Sequence, residues 1–116
     1  MPWPEERRLC RAILVLLAAM DADDLWSEHG PTDRAVEMLE QNGGPLSSGQ
    51  RVLFLAAFNL WNRHGDLPLH RMIDALDLDN LQALCTLIVA CRTGDDAVEH
   101  WITNPDARRI RGPRPT

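Results

Sequence analysis

The chain has 116 residues, enough for one domain and too few for a second independent core. Hydrophobic residues at 45% and charged residues at 25% are ordinary globular values, which excludes global disorder. A net charge of -5 sets the molecular field against phosphate backbones and anionic lipid heads, so no direct nucleic acid and no membrane are expected among its partners.

Pro4 followed by Glu5 and Glu6 is a first-turn signature, and Gly30-Pro31 is a stop, so the first helix is predicted over residues 5–28. Its middle, "LCRAILVLLAAMDADD", is apolar on all sides before it turns acidic. At about 100° per residue, Leu9, Ile13, Leu16, Leu17 and Met20 form an inward stripe, extended by Leu25 or Trp26. Leu14, Val15 and Ala18 form a second stripe, rotated well away. A signal peptide fits poorly, because Glu5 and Glu6 interrupt the basic region and no small-x-small site precedes Asp21. The apolar run is also shorter than the roughly 20 residues of a membrane span.

"TDRAVEMLEQNGG" gives a short helix capped by Thr32, with Val36, Leu39 and also Met38 as inward candidates. "LSSGQRVLFLAAFNLWNRHG" starts a third with a capping box of Ser47 and Gln50 and closes at Gly65. "DLPLHRMIDAL" offers Asp66 as cap and Leu69, Met72, Ile73 and Leu76 as a single stripe. The fifth helix starts near Asp77 or Asp79 and stops at Gly94, with Leu81, Leu84, Cys85, Ile88 and Cys91 aligned and Leu87, Val89 and Ala90 covering much of the rest. "DDAVEHWITNP" is a last helix capped by Asp95 and broken at Asn104-Pro105. "DARRIRGPRPT" reads as a loose basic tail, so a helical domain is placed at 1–111 and a disordered end at 112–116. No strand pair, hairpin dipeptide or internal repeat is evident. The predicted fold is all-α, a compact single-domain bundle of about five to six helices.

Signals for chemistry are weak. "GGPLSSGQR" resembles a phosphate loop in its glycines only, since Gln50 stands where the lysine belongs and a helix precedes it. His64, Asp66, His70 and Asp74 gather in "NRHGDLPLHRMID", and His70 with Asp74 shares a helical face, so a small enzyme or metal-dependent protein centred there is the alternative reading. The aspartates of "DADD" and "DALDLDN" lack the alternation and glycine of a calcium loop. Cys10, Cys85 and Cys91 cannot all pair and have no metal-ligand spacing, which fits reduced, mostly buried thiols in a cytoplasmic protein. Arg108, Arg109, Arg111 and Arg114 cluster without an aromatic platform. No catalytic or metal residue and no cofactor is assigned.

The layout of "LSSGQRVLFLAAFNLWNRHGDLPLHRMIDALDLDNLQALCTLIVAC", with the size, acidity and Ala/Leu/Arg-rich bacterial character, resembles the QslA-type quorum-sensing antiactivators. The resemblance implies a small helical protein that binds a transcription factor and blocks its dimerisation, and it assigns no residue roles. The residues themselves point to a non-enzymatic interaction protein, because a core this small encloses few helices completely and surplus apolar surface marks a protein interface. Leu14, Val15 and Ala18 are the expected seam, in a homodimer or against a protein partner such as a transcription regulator, and Trp3 is a further interface candidate.

Overall fold

Capping chemistry sets most of the helix boundaries in the computed structural model, which describes residues 4–41, 44–63 and 65–110. Helix α1 spans Glu6–Ala18, its start held by the Glu5 carboxylate, which accepts from the backbone N–H of Arg7 and Arg8. It ends well before residue 28. Asp21, Asp23 and Asp24 would crowd the negative end of a continued helix dipole, and Asp21 instead turns left-handed at φ 56°. A 3-10 turn, Asp23–Leu25, then delivers Leu25 and Trp26 to the core.

The expectation of no strand pairing is corrected here, because β1 (Trp26–Ser27) and β2 (Gly30–Pro31) form a minimal antiparallel ladder with Trp26 opposite Pro31. Ser27 closes it by donating its hydroxyl to the Gly30 carbonyl at 3.0 Å. Helix α2, Asp33–Glu40, is capped by Thr32 as expected. Its inward residues are Ala35 and Met38, whereas Val36 is exposed and Leu39 half-buried. The reason is non-local: Thr32 is tied to the preceding turn through Leu25 O and Asp24 O, and that tie rotates the helix.

Helix α3, Ser48–Asn62, begins with the full Ser47–Gln50 capping box, and Gln50 also reaches across to Met20 O at 2.9 Å. Its stop is Arg63 in the left-handed region, φ 60°, and not Gly65. Gly49 lets α3 lie close to its neighbours, since a Cβ there would stand 2.7 Å from the Met20 methyl and 3.1 Å from Ala75 O. Helix α4, Leu69–Ala75, is capped by Pro68 rather than Asp66. Helix α5, Leu78–Thr93, starts at Asp77, whose carboxylate accepts from Asn80 N, and ends at Gly94 with φ 140°. Helix α6 is Asp95–Thr103, with Gly94 at its cap position. Asp95, the expected cap, instead accepts from Glu5 N at 2.9 Å and fastens α6 to the start of α1.

Helix α1 lies centrally, packed by α3, α5, α6 and β1. Edge-to-face contacts join Trp26, Phe54, Phe58 and Trp61, with ring centroids 5.1 to 6.4 Å apart. Trp101 anchors the other end, 1% exposed, its indole N–H donating to Thr86 Oγ1 at 2.9 Å. The stretch after Asn104 is partly ordered, which corrects the loose tail expected from residue 106. Pro105–Arg108 forms a 3-10 turn, and Arg108 covers the Trp101 ring while donating to the carbonyls of Trp101 and Ile102. Those bonds satisfy acceptors that a helix end leaves open. Residues 112–116, Trp3 and His64 lie outside the described residues. Among the described residues no helix is long and apolar enough to cross a membrane.

Candidate protein interaction surface

The second stripe of α1 is partly covered. Leu14 and Val15 are half-buried and pack against the core, and of the expected seam only Ala18 is exposed. The most exposed large aliphatic side chains lie on α4 and α5. On α4, Met72 and Leu76 turn inward while Leu69 and Ile73 remain 75% and 68% exposed, which corrects the expectation of one inward stripe. A helix of seven residues buries one narrow strip, and residues four apart at 69 and 73 fall beside that strip.

The opposite flank of α4 meets α3 in an open groove of about 250 Å³ lined by Arg51, Val52, Leu55, Arg71, Asp74 and Ala75. Arg51 donates to Gly44 O at 3.2 Å, and its Nε is buried without a partner among the described residues. The Arg71 guanidinium makes no ion pair among the described residues. The groove is thus lined by aliphatic side chains, the guanidinium groups of Arg51 and Arg71 and the carboxylate of Asp74.

The histidine and aspartate cluster does not converge in the part that is described. Asp66, His70 and Asp74 are all exposed, and only Asp74 faces the groove. Among the described residues no group of three His, Cys, Asp or Glu side chains is placed to hold a metal ion. The thiols are all free. Burial pushes Cys91 up to about 11 and also raises Cys10, with the neighbouring Trp26 indole working against the latter shift. Cys85 is half-buried on the outer side of α5. No protein-family model matches the sequence, and comparison with curated proteins and with solved structures finds no match.

The large side chains most open to solvent lie on helices other than the one the sequence singled out. On α5 the stripe expected to run through Leu81, Leu84, Cys85, Ile88 and Cys91 is divided: Leu84 and Cys91 are buried, Leu81 and Cys85 half-buried and Ile88 exposed, so Leu78, Leu81, Cys85 and Ile88, at spacings of three and four, border the buried side.

Proposed function

We propose that the chain is a non-enzymatic, cytoplasmic interaction protein that sequesters a regulatory partner. The QslA-type resemblance implies the specific form of this activity: binding a transcription regulator and blocking its dimerisation. The observation that supports the reading is the exposed pair Leu69 and Ile73 on α4, two large aliphatic side chains held out by a helix that is itself anchored through Met72 and Leu76. Exposed aliphatic groups on an anchored helix fit a partner segment carrying apolar anchors.

The test is affinity capture from host lysate with three tagged proteins: wild type, Leu69→Glu/Ile73→Glu, and Leu14→Glu/Val15→Glu. The α4 variant is expected to keep its helical circular dichroism and melting temperature and to lose the partner captured by wild type. Equal recovery of that partner by wild type and the α4 variant would place the binding surface elsewhere.

A further inference from the structure

The outer side of α5 carries a continuous apolar seam. Leu78, Leu81, Cys85, Ile88 and Arg92 follow one another at alternating spacings of three and four, the pattern with which a helix presents one stripe to another helix. Val89 widens the stripe, while Leu84, Leu87 and Cys91 face the core on the other side. Leu78 is 69%, Ile88 45% and Val89 64% exposed, so the stripe is open at both ends, while Leu81 and Cys85 between them are half-buried, Leu81 also touching the core. Ile110, whose backbone N–H donates to Gln82 Oε1 at 2.9 Å, leaves a further exposed aliphatic side chain near α5.

We propose that this seam binds a second copy of the chain, with the two α5 helices antiparallel and the two-fold axis at Cys85. Charge selects the direction. Asp77 and Asp79 stand at the start of α5 and Arg92 at its end. Arg92 makes no ion pair among the described residues. A parallel pair would set acid on acid and Arg92 on Arg92. Antiparallel pairing sets Leu78 against the stem of Arg92 in the second copy, with that guanidinium beside Asp77, and Leu81 against Val89. It also opposes the helix dipoles.

Cys85 is the smallest member of the seam and sits at its midpoint, which permits close approach. Helix axes about 8–10 Å apart, with Cα atoms about 2.3 Å off each axis, bring facing Cα atoms to roughly 4–5 Å. That separation is within the reach of a disulfide. The seam is about 24 Å long for 16 residues. Such a seam is smaller than a standard interface, so the dimer forms at micromolar concentrations and exchanges.

Diamide oxidation at tens of micromolar protein tests the arrangement. Two Cys85 thiols form one S–S bond, giving up two protons and two electrons to the diamide. Wild type is expected to yield a covalent dimer that persists in Cys10→Ser and Cys91→Ser variants and is lost in Cys85→Ser. Val89→Glu should abolish it at unchanged helical content, and sedimentation velocity should show the same variant as a monomer. Leu69→Glu/Ile73→Glu should leave the dimer intact, which separates this seam from the α4 surface. In a Cys85→Ser background, mixing Leu78→Cys with Arg92→Cys protein should give the hetero-disulfide. Preferential joining of Leu78→Cys to itself would overturn the antiparallel arrangement. A wild-type monomer at every accessible concentration, or cross-linking indifferent to Val89→Glu, would overturn the seam.

Discussion

The chain closes over the apolar residues of α1 from Leu9 to Leu17, with α3, α5, α6 and β1 against it, whereas α5 has neighbours on one side and leaves Leu78, Ile88 and Val89 to solvent. Both helices are apolar around much of their circumference. What separates them is position: a 116-residue body can surround one helix, and its surrounding helices keep an outer face. All-round hydrophobicity is a core property in the first case and a binding property in the second.

The largest effect that would test this contrast is truncation. Ile13→Ala in α1 should cost about 2–5 kcal/mol in urea denaturation, while Val89→Ala, measured at sub-micromolar concentration, should stay within about 0.5 kcal/mol. Similar losses at both positions would erase the distinction. Charge insertion sharpens it: Val15→Glu should lower the melting temperature by several degrees, and Val89→Glu should leave the monomer's unchanged.

Next in size is the hairpin wall beside α1. Gly30 has φ 128°, and a Cβ there would lie 3.1 Å from the Trp61 ring. Gly30→Ala should therefore cost about 1–3 kcal/mol, read by thermal or urea unfolding. A neutral result would mean that the β1–β2 turn adapts freely.

A smaller effect concerns the wall between α1 and α6. Arg11 clasps Glu99 with contacts of 3.0 and 3.2 Å, and Arg8 adds one at 3.4 Å. The Arg11 hydrogen bonds hold the Glu99 carboxyl below its ordinary range, with the charges of Arg11 and Arg8 adding to the effect. Because the folded value is depressed, the contribution is complete above the ordinary carboxylate value of about 4.3 and is lost as pH falls through the folded one. In Arg11→Ala, NMR titration should show Glu99 moving back toward that ordinary value. The smallest effect is expected for His70→Ala, which should change stability by less than about 0.5 kcal/mol and leave the native mass free of any metal-dependent shift.

The parts of this fold that were legible in the sequence are those fixed within one turn of chain. Thr32, the Ser47–Gln50 pair and Asp77 cap the helices that they introduce, because a capping bond needs only residues two or three positions away. The early end of α1, the rotation of α2 and the return of Arg108 onto Trp101 depend on distant groups, and periodicity holds no record of them. The same limit applies to the exposed apolar surface. Leu14 and Val15 look outward in a helical projection of α1 alone, and the packed neighbours half-bury them. Leu69 and Ile73 look inward by spacing, yet α4 is too short and too peripheral to bury them.

The placement of the cysteines gives the molecule its own gauge of breathing. Cys10 sits inside α1 and Cys91 on the inner side of α5, both buried and both held as thiols by burial. An alkylating reagent reaches them only when the structure opens, while half-buried Cys85 reacts ahead of either. Equal labelling rates at Cys10 and Cys91 would mean that the bundle opens as one cooperative unit. Faster labelling at Cys91 would show that α5 detaches while the centre stays closed.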